Sequence, residues 1–429
     1  MSLAQLEHRP VAAVSARAAT AGVLPAWPLM AMVAGFPVEW MLGATAFGSI
    51  ALSIVLAVYL GVRGRLRLVP GLLPWFLLLA WVVAAAVSLH SGTQAIGYLQ
   101  RLGDLAAAGI TALYYVNARE RIPARRAIGA LVLLWATIVV LGLVATQFPA
   151  LRLTTPVSFL VPESLKSNDL VYQLVYPRMA EVQQPWGAPQ PFNRPAAPFP
   201  YANSWGAAYA ILTPVVLAYL ALRPKRWVRW SLIGLLGASL YPAVATSNRG
   251  MFLGLGVAVA YFVIRLAMRG RFAATLAAAG AATVAAVYLF ASGALAGILA
   301  RQQVSDSTGT RADIYTSTFN ATLDSPFLGW ASPQQNDVSL GYALGTQGYA
   351  WTLMFSYGFV GLAIFLVFLL GAVGRTAAAP TTPALWLHAV LVMLVPLIWL
   401  YGLGTVQLIA TLLIAAILLR ARADREVLR

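Results

Sequence analysis

Repeated runs of 17 or more residues without a single Asp, Glu, Lys or Arg limit what this chain can fold into more than any other feature. An α-helix needs about that length to cross a hydrocarbon layer of about 30 Å. The runs are continuous rather than alternating, which excludes a membrane β-barrel, and helices and closed barrels are the only backbones that satisfy themselves in lipid. Composition agrees: 60% of residues are hydrophobic and 10% charged, where soluble domains have roughly 45–50% and about 25%. The chain reads as an all-α polytopic membrane protein.

Its net charge of +16 would suggest nucleic acid if it were spread over one face. Instead it sits in short links between apolar runs: Arg63/Arg65/Arg67, Arg119/Arg121/Arg125/Arg126, Arg223/Lys225/Arg226/Arg229, Arg269/Arg271 and Arg420/Arg422/Arg425. Successive clusters are separated by room for two crossings, which puts all of them on one side and makes that side cytoplasmic. On this topology 21 of the 29 Lys and Arg lie inside and 8 outside. The basicity is therefore topological, and nucleic acid is not an expected partner. The absence of cysteine excludes disulfides, thiolate metal ligands and cysteine nucleophiles.

Twelve spans follow, at roughly 22–42, 44–62, 71–89, 103–117, 127–147, 206–222, 230–245, 251–268, 272–298, 347–372, 384–402 and 404–419. Residues 1–20 read as a cytoplasmic tail, SGTQAIGYLQR as an outer link before the fourth span, and Gly402-Leu403-Gly404 as the turn between the last two. The chain divides into a membrane half (1–147), a first large external loop (148–205), spans six to nine (206–298), a second large external loop (299–346), and spans ten to twelve with a cytoplasmic tail (347–429). Both termini are expected inside.

Loops of this length are usually functional or disordered. These two hold most of the acidic residues, Glu163, Asp169, Glu181, Asp306, Asp313, Asp324 and Asp337. They also carry amphipathic runs such as DLVYQLVY and the Ile314/Tyr315/Phe319/Leu323 face. Short helices packed on the bundle or lying at the interface are expected there.

Three arginines depart from the inside bias: Arg194 before the sixth span, Arg249 in the turn Thr246-Ser247-Asn248-Arg249-Gly250, and Arg311 opening TRADIYTSTFNATLDSP. A guanidinium stays charged and fits phosphate oxygens bidentately. Together these three would hold a lipid-linked phosphate; separately, each could snorkel to headgroups or pair with a local carboxylate. Asp313 stands at a capping-box spacing from Thr310, so a helix cap competes with a catalytic role. Trp205, Trp330, Tyr349 and Trp351 read either as interfacial anchors or as sugar platforms. No histidine falls in either large loop, which argues against a histidine base or a histidine-bound metal there.

The segment SPFLGW followed by TQGYAWTLMFSYGFVGL resembles the C-terminal signature of the O-antigen ligase/polymerase superfamily, which includes related exopolysaccharide polymerases. Arg311 matches the arginine of that signature, Ser325-Pro326-Phe327-Leu328-Gly329-Trp330 its Pro-Leu-Gly-Trp turn, and Gly358-Phe359-Val360-Gly361 its glycine step. The Thr246 to Gly250 turn resembles the family's Thr-x-Ser-Arg-Gly, and Arg194 to Asn203 its earlier arginine and Pro-Asn segment. Gln347 and Gly348 occupy the places of the family's His-Asn, and glutamine cannot accept a proton at neutral pH.

The resemblance implies a GT-C-type bundle acting without a cofactor or metal. It would transfer a sugar or glycan from a polyprenyl phosphate or pyrophosphate to a lipid or glycan acceptor, on the external face of the cytoplasmic membrane and among membrane lipids. Arg194, Arg249 and Arg311 would hold the donor phosphates. Asn203, Tyr349 and Trp330 would orient the acceptor. Arg311, Asp313, Asp337 and Gln347 would serve the chemistry. Polymerase activity differs only in the acceptor. A transporter or flippase of lipid-linked glycan is the other class, disfavoured because the inner halves of the spans carry almost no charge to line a path.

Overall fold

A backbone withdrawn from water has to bond within its own segment, so each apolar run closes into a helix, and its ends are set by local chemistry. The computed structural model describes residues 22–45, 47–167, 169–183, 191–291, 307–333 and 343–428. Within them the elements run α1 (Trp27–Ala34), α2 (Phe36–Leu42), α3 (Gly48–Arg63), α4 (Leu73–Ala84), α5 (Gly92–Asn117) and α6 (Ala124–Gln147). They continue with α7 (Glu163–Lys166), α8 (Asp169–Val175), β1 (Ala180–Gln183), β2 (Phe192–Pro195), α9 (Ala202–Ala221), α10 (Arg226–Ala245) and α11 (Arg249–Met268). Last come α12 (Phe272–Ala291), α13 (Ser307–Leu323), α14 (Tyr349–Thr376), α15 (Thr382–Leu400) and α16 (Thr405–Ala423). The expected tail 1–20, residues 292–298 of the ninth expected span, and Asp337 lie outside the described residues.

Prolines in the first turn open α1, α2, α4 and α15, where no backbone donor is lost. Ser91, Asn248 and Thr381 accept from the backbone N–H three residues on and start α5, α11 and α15. Left-handed Gly43 and Gly64 stop α2 and α3.

Seven of these helices, α6, α9, α10, α11, α14, α15 and α16, are long and apolar enough to cross a membrane. The chain is thus a multi-pass helical membrane protein. The other expected spans take different forms. Residues 48–63, 73–88 and 272–288 are shorter apolar helices. The first expected span is divided at Gly35 into α1 and α2. The fourth is part of a 26-residue helix, α5, which begins at Gly92. SGTQAIGYLQR, expected as an outer link, is helical here, with Ser91 as the cap of α5 and the residues after it forming its opening turns.

Helix α16 is the axis of the bundle. In its most apolar stretch 83% of residues are buried, against 22% in α10 and 28% in α11. Those two present Trp227, Trp230, Ile233, Leu253 and Ile264 outward, as lipid-facing helices do. The basic clusters meet at one end of the bundle. Asp424 accepts from Arg67 at 2.6 Å and from Arg119 at 2.7 Å. The buried Arg420 donates to the carbonyls of Tyr115 and Ile122 and lies over the Tyr115 ring. Arg265 and Arg269 bond the backbone of residues 377–379 just past α14. Helices α5, α14 and α16 all end in this region, so the starts of α14 and α16 and the first half of α5 lie at the opposite end.

The 148–205 loop departs from the all-helical expectation. Besides α7 and α8 it contains an antiparallel pair in which Glu181 on β1 stands opposite Arg194 on β2. In the 299–346 loop, α13 starts at Ser307, so Thr310 lies inside the helix rather than at its cap. The capping-box reading of Asp313 is corrected accordingly. The inward face of α13 is Ile314, Thr318 and Thr322, while Phe319 and Leu323 are exposed. The small threonine hydroxyls bond back to their own helix or to Gly345, which lets α13 pack closely where larger groups would hold it off.

The SPFLGW turn docks on a break in α14. Gly358, at φ 70° and ψ −178°, interrupts the helical ladder. Its neighbours then bond outward: Trp330 N–H to the Phe355 carbonyl at 2.9 Å, Ala331 N–H to Ser356 at 2.8 Å, and Phe359 N–H to Pro326 at 2.8 Å. Trp81 Nε1 donates to the carbonyl of Tyr357 from α4.

Candidate active site

At the end opposite the basic clusters a cavity of about 770 Å³ opens between α5, the hairpin, the start of α9, residues 345–357 and the link from α15 to α16. Three helix starts converge on it. At α9 the Glu181 carboxylate accepts from Ala202 N–H at 2.9 Å. At α14 and α16 the capping positions are Gly348 and Gly404, which have no side chain to offer. Helix starts carry unpaired N–H groups and partial positive charge, which favours an anion.

Arg101 adds a full charge. Its Nη1 donates to the Gly97 carbonyl and to Ser332 Oγ, both at 3.1 Å, leaving Nε and Nη2 without a protein acceptor among the described residues. Three residues on, on the same side of α5, Asp104 accepts a 2.6 Å hydrogen bond from Thr405 Oγ1 at the start of α16. Gln407, two residues further, donates to the Ser204 carbonyl and ties α16 to α9.

Of the residues expected at the site, Asn203, Gln347 and Tyr349 line this cavity. Tyr349 is buried, and its N–H is held by the Tyr401 carbonyl at 2.8 Å. The Gln347 backbone accepts from Tyr315, whose ring stacks on Trp351 at 4.5 Å. Arg249 is exposed at the first position of α11. The backbone beside it runs close to the cavity wall, since a side chain on Gly250 would collide with the ring of Tyr401, a lining residue. The backbone of Arg311 lies on α13. Asp313 is exposed on that helix, away from the lining.

Arg194 has a different surrounding from the one expected. It is 3% exposed and all three nitrogens have protein acceptors: Nε the Thr246 carbonyl at 2.7 Å, Nη1 Gln183 at 3.2 Å, and Nη2 Asn203 at 3.0 Å. This fork joins the hairpin to the start of α9 and to the turn before α11. Replacing Arg194 by alanine is expected to lower stability by roughly 3–5 kcal/mol, since it strands buried partners. Lysine should not restore it, because an ammonium cannot reach three divergent acceptors. Thermal unfolding of the purified protein in detergent measures both.

Trp330 is likewise a packing group. Its Nε1 donates to the Ala321 carbonyl, and its ring stacks near Phe355 behind the cavity.

Arg101, Asp104, Glu181, Tyr357 and Tyr401 are also part of the polar lining. Among the described residues no three His, Asp or Glu side chains gather to hold a metal ion. Asp104 had one legible signal: a carboxylate beside an arginine at the head of an apolar run, which in a membrane helix marks function by default.

Residues 235–366 match a family model described as O-antigen ligase. The matched segment includes Arg249, Arg311, Gln347, Tyr349 and Gly358, whereas Arg101, Asp104, Glu181 and Asn203 lie outside it. No curated protein and no solved structure matches the chain.

Proposed function

We propose, from the match of residues 235–366 to a family model described as O-antigen ligase, that the chain is a GT-C-type membrane glycosyltransferase. It moves a sugar or glycan from a polyprenyl phosphate or pyrophosphate to a lipid or glycan acceptor on the external face of the cytoplasmic membrane. One observation carries this reading: the cavity that gathers helix starts, Arg101, Gln347 and Tyr349 lies at the end of the bundle away from the basic clusters.

Arg249 and Arg311 bind the donor phosphates, with Arg101 supplying a further cation from the cavity wall. Fixed cations and helix dipoles stabilise the charge that grows on the departing phosphate, and they need no reorganisation as the bond breaks. Arg194 acts at one remove, by holding Asn203 at the lip. Gln347 and Tyr349 orient the acceptor hydroxyl. The cavity is wide enough for a sugar ring together with its phosphate, and the exposed faces of α10 and α11 lie toward lipid, where a polyprenyl chain would run.

Cells lacking the chain are expected to accumulate lipid-linked glycan and lose the finished surface glycan, with both restored by the wild type. Gln347→Ala should slow transfer about tenfold, the effect of one lost orienting hydrogen bond. Unchanged levels of lipid-linked donor in the deleted cells would remove this reading. Donor that reaches the outer leaflet only when the chain is present would favour a flippase.

A further inference from the structure

We propose that Asp104 receives the proton of the acceptor hydroxyl during glycosyl transfer, with Thr405 holding its carboxylate in register. This rests on the transferase reading and assigns the proton acceptor that Gln347 cannot provide.

Two carboxylates line the cavity among the described residues, Asp104 and Glu181. Glu181 is committed to the protein. Its Oε2 caps α9 through Ala202 N–H, its Oε1 accepts from Gln183 at 2.5 Å, and Arg194 stands 3.9 Å away. Asp104 is committed on one side only. Thr405 donates to Oδ1, while Oδ2 has no protein partner among the described residues, and Asp104 is part of the cavity wall.

The cavity wall also carries the phenols of Tyr201, Tyr349, Tyr357 and Tyr401, a group that hydrogen-bonds as donor or acceptor but does not serve as a base for the proton of an alcohol. Among the described residues no histidine lines the cavity. His388 is bonded to Thr376 toward the basic end, and His90 lies beside Trp330. The Tyr357 hydroxyl is buried without a protein partner among the described residues and shares this wall, so a bound hydroxyl would find a donor there as well as an acceptor in Asp104.

The step balances without a further reactant. The acceptor oxygen attacks the anomeric carbon, and the bond from that carbon to the phosphate oxygen breaks, its electron pair leaving with the phosphate. The proton passes from the acceptor oxygen to Asp104 Oδ2, then to solvent through the cavity mouth. Thr405 is a positioning residue, since its hydroxyl touches the carboxylate and not the substrate.

The test uses the purified full chain in nanodiscs. Polyprenyl-linked glycan extracted from cells deleted for this gene serves as donor, and an acceptor fraction from the same envelope completes the assay. Asp104→Asn is expected to cut single-turnover transfer by about 100-fold or more, the lower range for loss of a general base, while donor co-purification stays at the wild-type level. Asp104→Glu should recover part of the rate. The acidic limb of the wild-type pH profile should be missing in Asp104→Asn, although Arg101, Tyr349, Tyr357 and Glu181 are all still present around the position.

Should Asp104→Asn fail to fold, Thr405→Val answers the question. It should slow transfer about tenfold and displace the acidic limb with donor binding intact. Transfer by Asp104→Asn within a few-fold of wild type, or an unchanged acidic limb in either variant, overturns the proposal and leaves the transferase reading standing. No transfer by the wild-type protein removes both.

Discussion

Gly358→Ala is expected to unfold the seam on which the cavity is built, with a loss of roughly 3 kcal/mol or more. Gly358 sits at φ 70° and ψ −178°, a region closed to residues with a Cβ. A methyl there would also strike the carbonyl of Phe327 and come within 2.6 Å of that of Pro326. From the other side, Gly329 at φ 66° faces the same break, and its Cβ would stand 2.5 Å from the Phe355 carbonyl. The two glycines therefore let two backbones touch, and three hydrogen bonds run across the contact. An internal control lies in the same helix: Gly371 has open space around its Cβ position, so Gly371→Ala should be neutral or stabilising by up to about 1 kcal/mol. Thermal unfolding of the two variants in one detergent should separate them clearly. Equal midpoints would show that the break is not held as described.

Arg249→Ala carries the largest effect expected on activity alone. An exposed side chain at the first turn of α11 makes no hydrogen bond or ion pair among the described residues, so its removal should leave stability within about 0.5 kcal/mol. On the proposed phosphate role, its loss should slow transfer about 100- to 1,000-fold. Lysine should recover a fraction, since it restores the charge without the fork. The contrast with Arg194→Ala is diagnostic. That variant should lose stability first and activity as a consequence, whereas Arg249→Ala should fold normally and accumulate lipid-linked donor. Normal surface glycan in cells carrying a well-folded Arg249→Ala protein would count against the phosphate role.

The signals legible in the sequence were those that depend on solvent. Charge-free runs gave helices, and the basic links proved to share one end because Arg67, Arg119 and Arg420 meet around Asp424 and the carbonyls of Tyr115 and Ile122. The SPFLGW and Gly358-Phe359-Val360-Gly361 segments were visible as patterns. Their purpose was not, because Gly358 facing Gly329 from so far along the chain leaves no local trace.

The head of α5 was misread for a physical reason. Gln94, Gln100 and Arg101 have the composition of a wet link, yet Arg101 lines a cavity and the helix runs through all three. The surroundings of Arg194 were not legible, because its place opposite Glu181 depends on the register of a strand pair that eight residues of weak alternation could not announce. Asn203, Gln347 and Tyr349 converged as their order around the external loops suggested, whereas Asp313 is on the open side of α13.

A chain without cysteine allows the central claim to be tested by a single introduced thiol. Thr346 is exposed at the cavity lip, and Arg119 is exposed at the basic end. In intact cells a membrane-impermeant maleimide is expected to label Thr346→Cys and not Arg119→Cys, to stop glycan transfer when it does so, and to be slowed by added lipid-linked donor. Labelling of Thr346→Cys only in inverted vesicles, or full transfer by the labelled protein, would contradict an externally facing cavity that binds the donor.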